Sequence, residues 1–137
     1  MITPVEVGTE LEPLTVRFTR ETLVRYAGAS TDFNPIHFSE RSATAIGLPG
    51  VVAHGLLTMG AALRLVTDWA GDPAKIDNYR VRFTNPIVVP DDADGATMIV
   101  SGRVTGVDGD RVTIQLDAVC DGVKVLGAAK VEVDLGR

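Results

Sequence analysis

Cysteine is almost missing from this chain: Cys120 stands alone, so no disulfide can form within it and no cysteine-rich zinc site can be assembled. A reducing, cytoplasmic setting is expected from that scarcity. Basic charge is also short, with 13 Lys and Arg against 18 Asp and Glu and a formal net charge of -5. A nucleic-acid binder needs a basic face to meet phosphates, so that class is set aside, and the acidity is read as a solubility feature. No apolar run is long enough to cross a bilayer, since the most apolar stretch, 55–66, is short and contains Arg64. The opening "MITPVEVGTELEP" lacks a basic segment followed by an apolar one, so no secretion signal is expected there. Internal repeats and low-complexity tracts are absent as well, which argues against a covalently duplicated domain.

What the chain does have is an ordinary globular balance, 45% hydrophobic and 23% charged over 137 residues, which suits one domain, 1–137, with one core. "DG" occurs at Asp94-Gly95, Asp108-Gly109 and Asp121-Gly122, and β-branched, alternating segments separate these pairs. Strands are predicted at about 76–84, 96–107, 111–120 and 123–135, joined as a four-strand meander. The first connection reads as longer than a hairpin, because Pro86, Pro90 and the acidic "DDADG" fall within it. The first half opens with a short strand at Leu14, Val16 and Phe18. Thr19 is placed to cap a helix from Arg20 to about Gly28, and Ser39 to cap a short one through about Ile46. A longer helix is predicted from about Gly55 to Ala70, with Leu56, Met59, Leu63 and Val66 at helical spacing and Gly71 ending it. That helix is apolar on most sides and belongs inside a curved sheet. The result is an α+β domain in which an antiparallel sheet wraps a central helix, the hotdog architecture, with sheet edges that a second copy can cover.

Between the first two helices lies "YAGASTDFNPIHF", which sets Asp32, Asn34, Pro35 and His37 within six positions. Spacing alone is weak evidence for an active site. Pro35, however, fixes its own φ and restricts Asn34, and Asp and Asn side chains lock turns by bonding nearby main chain. The bend can thus hold Asp32 and His37 toward one point, with Asn34 either bracing the loop or orienting His37. Further on, "GLPGVVAHGLLTMG" runs a small-residue loop into the apolar helix. Unpaired N–H groups at a helix start sit at the positive end of its dipole, and Gly55 lets a carbonyl oxygen approach closely, as an oxyanion hole requires. Glycines that merely turn the chain are the alternative. His54 is read as a helix-start residue bonded to main chain. A metal site from His37, His54 and a carboxylate is not expected, since no paired helical spacing of ligands is evident. Arg64, Lys75, Arg80 and Arg82 can meet phosphates of a carrier but read more simply as a solvated face.

Together the two stretches resemble the signature of the MaoC-like R-specific hydratases and dehydratases, the hydratase 2 group. Tyr26, then Asp32, Asn34, Pro35, Ile36 and His37, then Ala53, His54 and Gly55 match it in type and spacing. "WAGDP" at 69–73 and "YRVRFT" at 79–84 extend the likeness nearly end to end to β-type subunits of that family's (3R)-hydroxyacyl-carrier-protein dehydratases. The resemblance implies a hotdog fold and a trans-2-enoyl or (3R)-3-hydroxyacyl thioester substrate, carried on coenzyme A or acyl carrier protein. It implies Asp32 and His37 as a catalytic dyad, Gly55 and Asn34 on the oxyanion and substrate side, no cofactor and no metal. It also implies a homodimer or a heterodimer with a related subunit. Thr31 stands where the family often has Gly before the aspartate, and Ser39 where an acidic residue is frequent, with Glu40 one place later.

Overall fold

The computed structural model describes residues 4–137. β1 (Glu10–Phe18), β2 (Ile76–Phe83), β3 (Ala96–Asp108), β4 (Arg111–Cys120) and β5 (Val123–Asp134) form an antiparallel sheet in the order β1-β3-β4-β5-β2. Burial alternates without a break from Ala96 to Val104 in β3, and in β4 Val112, Ile114, Leu116, Ala118 and Cys120 face the same core. A period of two is what a sheet covered on one face requires. The turns after Asp108 and at Asp121-Gly122 close the two expected hairpins. At the second, φ of 51° and 74° at the paired residues matches the twist of a tight hairpin.

The expected four-strand meander is corrected at one place: β2 pairs with β5 rather than β3, and lies at the sheet edge opposite β1. The reason is the connection 84–95, which makes its own ribbon before it reaches β3. Ala53 N–H donates to the Ile87 carbonyl at 2.9 Å, Val89 N–H donates to the Val51 carbonyl at 2.9 Å, and Ile87 and Val89 are buried. Asp94-Gly95 is accordingly no hairpin turn. There Asp92 Oδ1 accepts from the N–H groups of Asp94 and Gly95, at 3.0 and 2.7 Å.

Helix α1 (Arg20–Ser30) starts at the Thr19 cap, which exchanges hydrogen bonds with Thr22, and runs two residues past the expected Gly28. Ser39 caps α2 (Glu40–Ala45), and α3 (Gly55–Ala70) ends at Gly71 with φ of 80°. α3 lies against β1, β2, β3 and β5, the hotdog arrangement of sheet and central helix. Gly102 permits that approach: a Cβ there would come within 2.9 Å of Leu65 and 3.1 Å of Leu116. The buried stripe of α3 is Thr58, Ala62, Leu65 and Val66, at i, i+4, i+7 and i+8. Of the expected stripe, only Val66 is buried, and Leu56 is 67% exposed. A helix with apolar residues on most sides does not declare its inner face by periodicity, so the enclosure expected for α3 is partial. On the covered side, Tyr79 of β2 donates its hydroxyl to the Met59 carbonyl of α3 at 2.8 Å, and burial pushes that phenol up to about 12.

Candidate active site

The end of α1 sets the first half of the site. Thr31 takes a left-handed conformation, with φ of 62°, which explains why a glycine suits this position. The chain then turns on side-chain bonds. Asp32 Oδ1 accepts from Asn34 N–H at 3.2 Å, and Asn34 Oδ1 accepts from Ile36 N–H at 3.2 Å. Pro35 opens a single 3-10 turn, Pro35–His37, whose last residue is driven inward to 8% exposure.

His37 arrives with its tautomer assigned by its surroundings. Its Nδ1 lies 2.7 Å from the Val52 carbonyl, an acceptor only, so Nδ1 carries the proton and Nε2 keeps a bare lone pair. That lone pair faces Asp32 Oδ2 at 3.8 Å. The separation is too long for a direct hydrogen bond and suits a water or a substrate hydroxyl held by both groups. Asp32 is half exposed and His37 buried, so one group meets solvent while the other faces inward.

The second half of the site is the segment 50–55, laced between the bend and the connection 84–95. Val52 N–H donates to the Ile36 carbonyl at 3.1 Å, while Ala53 and Val51 bond residues 87 and 89. Glu40, the acidic residue displaced by one position from the family pattern, pairs with Arg20 and accepts from Val51 N–H at 3.4 Å. Arg20 Nε in turn donates to the Val89 carbonyl at 2.7 Å. His37 and Gly55 line the same open groove of about 430 Å³, along with Thr58, Phe83, Asn85 and Ile87. Gly55 is the first residue of α3, so its amide belongs to the unpaired set at the helix start. A Cβ on it would sit 3.2 Å from the Phe83 ring.

Of the residues singled out by sequence, His37 and Gly55 share the groove lining, and Asp32 stands beside His37 but outside that lining. Asn34 is exposed and outside the groove lining, and its carboxamide oxygen closes the 3-10 turn, the geometry of a brace. His54 precedes α3 and makes no side-chain cap bond to that helix. Its ring instead reaches across to the bend, donating Nε2–H to the Asp32 carbonyl at 3.2 Å. It stacks on His37 with ring centroids 3.7 Å apart and meets Tyr26 edge-on at 4.7 Å. Burial pushes the His54 pKa down, as does the neighbouring His37, against the pull of the Asp32 carbonyl. Sequence reasoning did not find the stack or the Phe83 ring; the pairing of His54 with Gly55 at the helix start was the available signal.

Asp32, His37 and His54 present ligand-type atoms within 4.8 Å of one another. Ring nitrogen lone pairs lie in the ring plane, and the two stacked planes are only 20° from parallel, so they are poorly placed to converge on one ion. One nitrogen of each ring is also engaged by a main-chain carbonyl. This is not the tetrahedral convergence a zinc site needs.

Against known proteins, residues 3–120 match the family model described as MaoC like domain. The chain is 36% identical over 75 residues to 3-hydroxyacyl-thioester dehydratase X of Mycobacterium tuberculosis, which covers 55% of this chain and 26% of that protein. It is 31% identical over 110 residues to the 3-oxo-4,17-pregnadiene-20-carboxyl-CoA hydratase beta subunit of the same organism, covering 80% of this chain and 81% of that one. A solved MaoC-like dehydratase superposes with a TM-score of 0.90 at 38% identity, over 94% of this chain and 40% of that chain. The chain thus spans about a quarter of the first of these relatives and two fifths of the solved one. With the sequence match running through the bend, the 50–55 segment and four of the five strands, this chain belongs to the family of MaoC-like domains.

Proposed function

We propose that this domain adds water reversibly across trans-2-enoyl thioesters to give (3R)-3-hydroxyacyl thioesters, carried on coenzyme A or an acyl carrier protein. One observation carries the reading: a bare His37 Nε2 stands 3.8 Å from the Asp32 carboxyl group, and His37 lines a groove together with Gly55, the first residue of α3.

In the dehydration direction the substrate carbonyl oxygen lies at the Gly55 N–H. Removal of the C2 proton gives that oxygen enolate character, which the helix start stabilises without reorganising. His37 Nε2 takes the C2 proton. A protonated Asp32 carboxyl gives its proton to the departing C3 hydroxyl, which leaves as water as the C2–C3 double bond forms. The imidazolium and carboxylate then face each other at 3.8 Å, close enough to return the proton through one bridging water and reset the pair. Hydration runs the same steps backwards, and exchange of the two roles leaves the balance unchanged. His37 and Gly55 line the groove and Asp32 stands at His37, so base and oxyanion donor reach one substrate.

A second subunit fits the same geometry. β1 and β2 leave two sheet edges, and Phe83, Leu56, Phe33 and Phe38 are 53–67% exposed around the site segments. One relative is named as a beta subunit, which supports assembly with a like or related domain. Among the described residues no helix is long and apolar enough to cross a membrane.

The test is hydration of crotonyl-CoA and longer enoyl-CoAs by the purified chain, alone and with candidate partner subunits, following loss of the conjugated enoyl absorbance. Asp32→Asn and His37→Ala are each expected to lower kcat by about 10²–10⁴-fold while leaving the fold in place. Near-normal turnover in either variant removes the mechanism. Release of free thiol without hydration assigns the site to thioester hydrolysis instead.

A further inference from the structure

The reaction proposed above makes no use of His54, yet this ring is 1% exposed and its Nδ1 has no hydrogen-bond partner among the described residues. A buried acceptor left bare costs folding free energy, and a phenyl ring of similar shape would avoid that cost. Something at this position must require an imidazole. Three contacts say what it is. Nε2–H donates to the Asp32 carbonyl, one face of the ring lies on His37, and Tyr26 closes from the edge. The bond to Asp32 also dictates the bare atom, because a neutral imidazole has one proton and Nε2 holds it.

We propose that His54 is a positioning residue for the Asp32–His37 pair: its Nε2–H pins the main chain of Asp32 while its ring backs the His37 imidazole. The inference rests on the reaction assigned above and adds to it the group that fixes the reacting spacing. The Asp32 side chain is on an exposed bend, and its carboxyl group takes one local bond, from Asn34 N–H. The His54 bond ties the same residue, through its carbonyl, to the start of α3, where the Gly55 amide sits. A single side chain thereby links the acid, the base and the oxyanion donor into one rigid unit. Asp32, His37 and Tyr26 are the titratable groups that face the ring, and burial favours its neutral form, which is the form the bond requires.

His54→Phe keeps a stacking ring, removes the bare Nδ1 and deletes only the donor. It is expected to match or exceed the wild type in melting temperature, yet to lose about 10²-fold in kcat with KM little changed, as a misplaced catalytic group does. His54→Gln, whose amide can reach the same carbonyl, is expected to recover most of that loss. His54→Met serves as the donor-free variant should the phenyl ring prevent folding. A folded donor-free variant with wild-type kcat overturns the proposal, as does a Gln variant no faster than the donor-free ones. The chain has two histidines, so ring ¹⁵N spectra give a readout independent of turnover. The expected pattern is a proton on Nδ1 of His37 and on Nε2 of His54; the opposite tautomer at His54 also overturns it. If the wild type hydrates no enoyl thioester, the reaction falls while the tautomers still decide whether His54 holds Asp32.

Discussion

β3 and β4 bury apolar side chains and turn polar ones outward, whereas the segment 31–55 breaks that rule in both directions. Between Thr31 and Gly55 two imidazoles are buried while Phe33, Phe38 and Ile46 are 55–68% exposed. The sheet is held by non-directional burial plus a regular ladder. The site segment is held by bonds that each fix one atom: Val52 to Ile36 and His37, His54 to Asp32, Glu40 to Arg20 and Val51. Non-directional burial tolerates exchange of one apolar group for another, but it cannot set a distance between two polar atoms. Directed bonds can, and the chain uses them where the Asp32–His37 spacing must be kept. The two regions should therefore fail differently, one in stability and the other in rate.

The sharpest separation comes from a cavity in the sheet. Ile114 is fully buried in β4, so Ile114→Ala should cost about 2–5 kcal/mol of unfolding free energy, read by denaturant titration. Turnover per folded molecule should stay near wild type, since Ile114 does not line the groove. A large drop in kcat at temperatures where the variant remains folded would show that the sheet core and the site are not separable in this way.

This contrast also accounts for what could be read from sequence. Strands β3, β4 and β5 announce themselves because alternation and turn residues are local features, and the caps Thr19 and Ser39 are local too. The pairing of β2 with β5 is not local; it is decided by the ribbon that 84–95 makes with 51–53, and no periodicity in either segment encodes the other. The inner face of α3 was hidden for a related reason. Met59 and Leu63 are as apolar as Leu65, and it is tertiary packing, such as the close approach of Leu65 to Gly102, that sets which of them is fully buried. At the site, the bend and Gly55 were legible from residue types that lock turns and open helices. The His37–His54 stack was not, because it joins two segments seventeen positions apart through tertiary placement.

A smaller and pH-dependent difference follows from His54. Its pKa is lowered in the folded chain, chiefly by burial, so below the ordinary imidazole value the unfolded chain binds the extra proton and the folded chain resists it. The stabilisation from keeping this ring neutral is complete above about pH 6.5 and is lost as pH falls toward the folded value. Within that window the wild type should lose up to about 1.4 kcal/mol per pH unit relative to His54→Gln, which has nothing to protonate at this position. Carboxylates that titrate nearby are common to both proteins and cancel in the difference. Parallel stability curves for the two proteins between neutral pH and pH 5 would mean that the ring is not desolvated in solution.

The smallest effect tests the bend itself. Thr31 is β-branched and holds φ of 62° at the end of α1, a conformation that crowds its Cβ against the following carbonyl at a cost of about 1–2 kcal/mol. Thr31→Gly removes that strain but gives the unfolded chain more freedom, which offsets about 0.5–1 kcal/mol of the gain. The net expectation is a stabilisation of about 0.5–1 kcal/mol, seen as a modest rise in melting temperature. What happens to rate is the informative part. Asp32 follows directly, and its carbonyl and carboxyl group are each held by a separate bond, to His54 and from Asn34. If those bonds fix the residue, relieving the strain beside it leaves kcat unchanged; if the stiff Thr31 backbone is what aims Asp32, the more stable variant turns over more slowly.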